Sequence, residues 1–160
     1  METSAVEEIL RANAAWAATF ADTGRTAAPE RRLALVTCMD ARIDVFRCFG
    51  LELGDAHVIR NAGGLVDTDA LRSLVVSHHL LGTQEAVVIG HTECGLLGVT
   101  NADLHARLGP DSEGIDFHPF ADVAERVRQS VETIRTTPLL AGVAATGFVY
   151  DVRSGRLDAV

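Results

Sequence analysis

The sequence predicts an α/β fold with a mostly parallel β-sheet that is flanked by helices and carries a C-terminal hairpin at one edge. Three short apolar runs rich in valine and isoleucine have the character of buried parallel strands and cover residues 33–37, 57–60 and 86–90. A helical pattern separates the second run from the third, and such alternation favours right-handed parallel crossovers. The 160 residues correspond to one compact domain, which we expect to span residues 1–160.

The N-terminal segment has the pattern of an amphipathic helix, which we expect within residues 1–22. Ser4 and Glu7 have the spacing of a capping box at its start. Apolar side chains then recur at near-helical spacing, at Val6, Ile9, Leu10, Trp16 and Phe20. The simplest interpretation is that Trp16 and Phe20 lie in the core of the protein.

Two further helices are predicted in the middle of the chain. The stretch "DTDALRSLVVSHHLLG" can begin at a cap formed by Asp67 or Thr68 and end at Gly82. A shorter helix is expected to start directly after Cys94 and to run to about Leu108, where a Gly-Pro pair stops it. The alternation of these helices with the apolar runs supports the α/β prediction.

The C-terminal part of the chain predicts one more helix and a hairpin. The stretch "PFADVAERVRQSVETIR" is helical in pattern, and its apolar side is formed by Phe120, Val123, Val127 and Ile134. The final stretch "GFVYDVRSGRLDAV" alternates on both sides of a Ser-Gly pair at 154–155, which is typical of a β-hairpin. We place this hairpin at the edge of the sheet.

The composition argues against several classes of partner. The formal net charge is −8 and the isoelectric point is near 5.1, whereas nucleic acids and anionic membranes are bound by basic surfaces. No run approaches the roughly 20 apolar residues of a membrane span, and the acidic N-terminus lacks the basic start of a signal peptide. Three widely spaced cysteines fit reduced thiols or a metal site better than a disulfide framework. We therefore expect a cytoplasmic protein that binds neither nucleic acid nor membranes.

Reactive side chains follow the first and the third apolar run. Cys38, Asp40 and Arg42 come after the first run, and His91 and Cys94 come after the third. The carboxyl ends of parallel strands meet at one edge of a sheet, where ligands collect. Two cysteines and one histidine are a common ligand set for zinc, and three protein ligands leave one tetrahedral position open, as in catalytic sites. The sequence therefore predicts that Cys38, His91 and Cys94 bind Zn²⁺.

Asp40 and Arg42 are the candidates for controlling the open position. An Asp-x-Arg pair is usually a surface ion pair of little energetic value. Beside a metal, however, Asp40 could act as a fourth ligand in a closed state, and Arg42 could hold it as a carboxylate away from the metal. We interpret the alternation of Cys38, Asp40 and Arg42 as a ligand, a gate and the residue that controls the gate.

Three motifs in combination resemble the β-class carbonic anhydrases. They are "CMDAR", "VIRNAGG" and "HTECG", within about residues 33–98, and the final "GFVYDVRSGRL" is similar to the short bacterial members of that class. The resemblance implies a β-carbonic anhydrase-like fold, zinc bound by the two cysteines and the histidine named above, and Asp40 and Arg42 as the catalytic dyad. It also implies homodimers or multiples of dimers, with active sites near the interface and the N-terminal helix laid across the partner.

The expected reaction is the reversible hydration of carbon dioxide to bicarbonate, a lyase activity. Zinc lowers the pKa of a bound water, and the resulting zinc-bound hydroxide can attack carbon dioxide. Asp40 would accept a hydrogen bond from this hydroxide and turn its lone pair toward the substrate. The backbone N–H of Gly95, which we place at the start of the helix after Cys94, would donate to a substrate oxygen.

Two other functions stay open at this stage. A hydrolase of carbonyl sulfide or carbon disulfide could use the same zinc ligands, because these substrates have the shape of carbon dioxide. A non-catalytic zinc or thiol redox sensor could use Cys38 and Cys94 as its responsive pair. Asp40 and Arg42 argue against the sensor, because a closed site has no need of a gated fourth position. Cys48, in the short apolar segment "FRCFG", is interpreted as a packing residue and not as a ligand.

Overall fold

The computed structural model describes residues 3–160, in which five strands form one sheet. In chain order the strands are β1 (Leu33–Cys38), β2 (Ala56–Asn61), β3 (Glu85–His91), β4 (Ala144–Tyr150) and β5 (Leu157–Ala159). Their order across the sheet is β2-β1-β3-β4-β5, and β5 is the one described strand that runs antiparallel to its neighbour. The predicted mostly parallel sheet with an edge hairpin is therefore confirmed.

The α-helices of the described residues are distributed along the whole chain. They are α1 (Ala5–Thr19), α2 (Val45–Phe49), α3 (Thr68–Leu81), α4 (Asn101–Leu108) and α5 (Val123–Thr136). Asp67 caps α3 by accepting a hydrogen bond from the Ala70 N–H at 2.8 Å, and Gly82 ends it with a left-handed φ of 79°. Both ends of this helix were predicted. None of the helices within residues 3–160 has the length and apolar character that crossing a membrane requires.

The parallel register brings the carboxyl ends of β1, β2 and β3 to one edge of the sheet. β1 lies between the other two strands, with Cys38 opposite Asn61 and Thr37 opposite Ile89. The Thr37 hydroxyl also donates to the Ile89 carbonyl oxygen at 2.9 Å, which ties β1 to β3 near this edge. Because Cys38 and His91 are the last residues of β1 and β3, the sheet delivers both side chains to the same place.

Helix α5 packs closely on the sheet because β4 has a glycine beneath it. A Cβ atom at Gly147 would lie 2.5 Å from Val127 Cγ1 and 3.1 Å from Val131 Cγ2. Both valines belong to the buried core. A side chain at position 147 would therefore force α5 away from the sheet.

We expect Gly147→Ala to lower the free energy of unfolding by about 1–3 kcal/mol, the usual cost of an added group in a packed interior. Urea unfolding followed by circular dichroism measures this change. Thr146→Ala, at the exposed neighbouring position, is the matched control and should leave the midpoint nearly unchanged. Equal midpoints for Gly147→Ala and the parent would show that α5 has room to move.

The helix predicted after Cys94 starts later than expected. Residues 92–100 form turns and irregular chain, and α4 begins only at Asn101. Thr100 and Asp103 form a capping box that fixes this start. Gly95 therefore lies in a turn, and its predicted place at the start of a helix was wrong.

Phe120 explains why the chain after Cys94 stays irregular. The Gly98 N–H donates to the Phe120 carbonyl oxygen at 2.8 Å, and Leu97 and Phe120 form an isolated parallel bridge. These contacts engage backbone groups that a helix would use internally. Phe120 also lies outside α5, which begins at Val123 after its cap residue Asp122, although the sequence pattern placed it on that helix.

The N-terminal helix begins as predicted and ends earlier. The capping box of Ser4 and Glu7 is present, with reciprocal hydrogen bonds between each backbone N–H and the other side chain. The helix ends at Thr19, short of the predicted limit at residue 22. Met1 and Glu2, the first residues of the predicted range, lie outside the described residues.

The apolar side of α1 is exposed to solvent. None of the residues of α1 is buried, and Trp16 and Phe20 are 61% and 56% exposed. Their predicted place in the core was wrong. Amphipathic periodicity shows that one side of a helix is apolar, but it does not show which surface covers that side.

Candidate metal centre

Three side chains that bind soft metal ions converge at the carboxyl edge of the sheet. Cys38 and His91 end β1 and β3, and Cys94 follows three residues after His91. One ligand atom from each residue lies within 4.8 Å of the other two. The three residues are only 5%, 1% and 7% exposed. The structure thus brings together all three residues that the sequence predicts as metal ligands.

The orientation of His91 leaves one ring nitrogen free for a ligand. Its Nδ1 donates to the Thr92 carbonyl oxygen at 2.9 Å, so the lone pair of the neutral ring lies on Nε2. This buried Nε2 atom has no hydrogen-bond partner among the described residues. A buried polar atom without a partner is costly unless a ligand satisfies it, and this hydrogen bond to Nδ1 is the arrangement found behind metal-bound histidines.

The two cysteines share a hydrogen bond that shifts the pKa values of their thiols in opposite directions. A hydrogen bond from Cys94 is the main cause that lowers the pKa of the Cys38 thiol, and the backbone N–H groups of Asp40 and Gly63 lower it further. The same hydrogen bond raises the pKa of Cys94, because Cys94 holds the proton that the two sulfurs share. A metal ion that displaces this proton would find both sulfurs ready to bind.

The glycines of "NAGG" let the chain pass closely beside the site. A Cβ atom at Gly64 would lie 3.0 Å from the Cys38 backbone nitrogen, and the φ of this glycine is +63°. Asn61 spans the turn, since its side chain bonds the Leu65 N–H at 2.9 Å and the Leu65 carbonyl at 2.7 Å. The turn brings the N–H of Gly63 to the Cys38 sulfur.

Asp40 and Arg42 form a two-pronged ion pair beside the ligand residues. Arg42 donates from Nε to Asp40 Oδ1 at 3.0 Å and from Nη2 to Oδ2 at 2.8 Å. The Arg42 backbone N–H adds a third hydrogen bond to Oδ1, at 2.9 Å. These hydrogen bonds hold the pKa of the Asp40 carboxyl well below its usual range, so the group is ionised. Asp40 Oδ2 lies 3.9 Å from His91 Nε2, which places the carboxylate next to the free ligand atom.

Arg60 holds the segment that carries these residues. Its guanidinium donates to three backbone carbonyl oxygens, those of Cys38 at 2.9 Å, Asp40 at 2.7 Å and Ile43 at 3.2 Å. An arginine at the end of β2 reaches β1 only because the two strands are neighbours.

Two further residues join the site from distant parts of the chain. Glu93 accepts from Arg42 Nη1 through Oε2 at 3.2 Å and from Nη2 through its carbonyl oxygen at 3.1 Å. Arg153, after β4, pairs with Glu93 Oε1. Hydrogen bonds from Arg153 and Arg42 lower the pKa of Glu93, which is therefore ionised. Neither residue could be predicted from the sequence, since nothing in the local pattern relates position 153 to position 93.

The other two residues considered from the sequence have different surroundings. Gly95 directly follows Cys94 and is exposed. Cys48 is exposed on α2 and lies apart from the three metal-binding residues, with its Sγ 3.2 Å from the Tyr150 hydroxyl. It is not the buried packing residue that its apolar neighbours suggested.

The donor set fits zinc. Two sulfurs that can ionise and one neutral imidazole nitrogen are the kinds of ligand that zinc prefers. Together these three ligands leave one tetrahedral position open. The unpartnered Nε2 atom of His91 and the low exposure of all three residues support this assignment. Softness of the donors argues against magnesium and calcium, which take oxygen ligands.

The chain is similar in sequence to known carbonic anhydrases and carbon disulfide hydrolases. The carbonic anhydrase family profile matches residues 33–116. The β-carbonic anhydrase 1 of Mycobacterium tuberculosis is 43% identical over 137 residues, with coverage of 82% of this chain and 83% of that protein. A carbon disulfide hydrolase of Acidithiobacillus thiooxidans is 34% identical over 151 residues, with coverage of 79% of this chain and 76% of that protein.

The chain also resembles solved structures of carbonic anhydrases. The crystal structure of a carbonic anhydrase from Streptococcus mutans superposes with a TM-score of 0.91 at 41% identity, and the match covers 100% of this chain and 99% of that one. The segment matched by the family profile contains the three convergent ligand residues and the Asp40–Arg42 pair. The chain therefore belongs to the β-carbonic anhydrase family.

Proposed function

We propose that this protein catalyses the reversible hydration of carbon dioxide to bicarbonate, with Zn²⁺ held by Cys38, His91 and Cys94. The observation that carries the proposal is the ionised Asp40 carboxylate, which Arg42 grips beside three convergent ligand atoms. Relatives that carry the name carbonic anhydrase support it at 43% and 41% identity. When bound, zinc supplies Lewis acidity that brings the pKa of a water ligand toward neutrality, and thus a nucleophile for carbon dioxide.

Asp40 supplies an oriented acceptor for the nucleophile's proton. Its carboxylate stays ionised through three hydrogen bonds from Arg42. A fixed acceptor beside His91 Nε2 turns a lone pair of the nucleophile toward the carbon of the substrate. The N–H of Gly95, in the turn after Cys94, would donate to a substrate oxygen and stabilise the charge that develops there.

Arg42 decides which partner Asp40 has. In the geometry described, both carboxylate oxygens accept from Arg42, and we assign this arrangement to the working state. In a closed state Asp40 would leave Arg42 and become the fourth ligand. A thiol redox sensor would have no use for such a pair, so the pair favours an enzyme over the sensor.

Hydrolysis of carbon disulfide is the second candidate reaction. The observation that favours it is the 34% identity to a protein named carbon disulfide hydrolase. The same nucleophile and the same acceptor would serve a linear substrate with sulfur in place of oxygen. Carbonyl sulfide belongs to the same class of substrate.

Side-by-side assays on zinc-loaded protein separate these reactions. Stopped-flow measurement with a pH indicator follows the hydration of carbon dioxide, and release of hydrogen sulfide follows hydrolysis of carbon disulfide and carbonyl sulfide. We expect rapid hydration that is lost when a chelator removes the zinc. Rapid sulfide release without hydration would assign the hydrolase instead, and a zinc-loaded protein with neither activity would contradict both enzymes.

We further propose that a second copy of the chain covers α1, so that the protein is a homodimer or a multiple of dimers. The apolar side chains of this helix and of its C-terminal cap residue, which are 56% to 66% exposed, are Val6, Ile9, Leu10, Trp16 and Phe20. A contiguous apolar surface of this kind usually marks an interface. Trp16 and Phe20 also lie close together, with ring centroids 6.1 Å apart, as an aromatic pair suited to a partner's pocket.

Deletion of residues 1–22 is expected to convert dimers to monomers, because it removes this apolar surface. The double substitution Trp16→Ser and Phe20→Ser should weaken the dimer without shortening the chain. Sedimentation velocity measures both effects. Leu139→Ser is the matched control, since Leu139 is 59% exposed on another part of the surface. An intact chain that sediments as a monomer would refute the interface.

A further inference from the structure

The guanidinium of Arg42 is held from two sides. Asp40 accepts from Nε and Nη2 on one side. On the other side, Glu93 accepts from Nη1 through its carboxylate and from Nη2 through its backbone carbonyl. Arginine has five N–H donors in a planar fork, so four hydrogen bonds fix the plane of the group as well as its position.

The backbone conformation of Glu93 makes this double contact possible. Its φ is +57°, in the left-handed region that residues with a side chain rarely adopt. In this conformation both its carbonyl and its carboxylate accept from Arg42. Glu93 lies between the ligand residues His91 and Cys94 in the sequence. A residue keeps such an unfavourable backbone conformation only where the surrounding structure imposes it.

The chain after β4 imposes the position of Glu93. The Thr92 N–H donates to the Tyr150 carbonyl at 3.0 Å, and the Val152 N–H donates to the Thr92 hydroxyl at 3.1 Å. Arg153 then pairs through Nε with Glu93 Oε1, the carboxylate oxygen that Arg42 does not use. The chain between β4 and β5 thus holds the segment between His91 and Cys94 through hydrogen bonds from both backbone and side chains.

We propose that Glu93 is a positioning residue for the Asp40–Arg42 pair and that Arg153 acts on this pair through Glu93. The four side chains alternate in charge and join the ends of β1, β3 and β4. Each exposed ion pair by itself contributes little to stability, but several charges in a network of fixed geometry hold one another in place. The proposal rests on the proposed function, in which the alignment of Asp40 decides the rate.

The Arg42 side-chain N–H signal tests the proposal without any activity assay. In ¹⁵N-labelled zinc-loaded protein, the Arg42 Nε–H resonance is the one that disappears in Arg42→Lys. Glu93→Gln removes the charge of Glu93 and keeps its size. The Arg42 Nε–H bonds Asp40 Oδ1, and we expect its exchange with water to become about fivefold faster, because Nη1 loses a charged acceptor and the guanidinium is then held less firmly.

Carbon dioxide hydration provides the second readout. Glu93→Gln should lower kcat/KM by about fivefold while the zinc content stays at the parent level, because Asp40 loses alignment and no metal ligand is changed. Glu125→Gln is the matched control, since Glu125 pairs with Arg128 on α5 and takes no part in the site. It should alter neither readout.

A double-mutant comparison tests whether Arg153 acts on the Asp40–Arg42 pair through Glu93. Arg153→Gln should lower kcat/KM by about twofold in the parent and by nothing in the Glu93→Gln background, because Arg153 acts only through Glu93. Additive effects of the two substitutions, or unchanged Nε–H exchange in Glu93→Gln, would overturn the proposal. A parent protein without hydration activity would instead refute the proposed function, and the Nε–H exchange would still decide the positioning role.

Discussion

Cys94→Ala and His91→Ala should each lose zinc and hydration activity together. Removal of one ligand leaves two, and the buried site then binds zinc more weakly by more than about a hundredfold. His91→Ala also opens a cavity at a residue that is 1% exposed. Zinc content by plasma emission spectrometry and hydration by stopped flow should therefore fall in parallel.

A thermal measurement separates loss of metal from loss of fold. Zinc that binds the folded chain raises its melting temperature by mass action. The parent should gain stability when zinc is added, and the two variants should not. Cys48→Ala is the matched control, since Cys48 lies apart from the ligand group, and it should keep both zinc and activity. Full zinc content with normal activity in Cys94→Ala would rule out this ligand assignment.

Asp40→Asn should keep zinc and lower kcat/KM by about a hundredfold, the usual effect of losing an oriented catalytic group. The amide has nearly the shape of the carboxylate, but it is neutral. Its NH₂ group cannot accept a hydrogen bond, so Arg42 loses one of the two side-chain oxygens of residue 40 that accept from it. Arg42→Ala should also lower activity, because the freed carboxylate can then compete for the open metal position.

Asp44→Asn is the matched control for this experiment. Asp44 lies in the same segment and caps α2 by accepting from the Arg47 N–H at 3.2 Å, away from the ligand atoms. The control should retain parent activity and parent zinc content. Unimpaired hydration in both Asp40→Asn and Arg42→Ala would remove the pair from the mechanism, even with the zinc ligands in place.

The strands and the convergence of the ligand residues could be predicted because they depend on local patterns. The apolar runs stop at Thr37 and Gly90, one residue before β1 and β3 end, and parallel topology brings strand ends to one edge. The caps at Asp67 and Gly82 are local for the same reason. A polar side chain bonds a backbone group three residues away, and a glycine adopts a left-handed turn without strain.

The errors in the prediction arose where a distant segment replaced a local preference. Gly95 does not begin a helix, because the following Gly98 bonds Phe120, a residue far along the chain. Trp16 and Phe20 are exposed instead of buried in the core. Their periodicity shows that the helix has an apolar side, but it does not show which surface packs against that side.

The sequence by itself determined the α/β fold, the strand ends and the three residues that converge as a metal-binding group, since alternation and chain order encode all of these. The contact of Glu93 with Arg42 and Arg153 was decided only by the tertiary structure. Glu93 and Arg153 are 60 positions apart, and no periodicity relates them. They meet because β3 and β4 pair in a parallel register with His91 opposite Tyr150, which places the chain after each strand at the same height. A register is a property of packed strands, so it exists only once the sheet has formed.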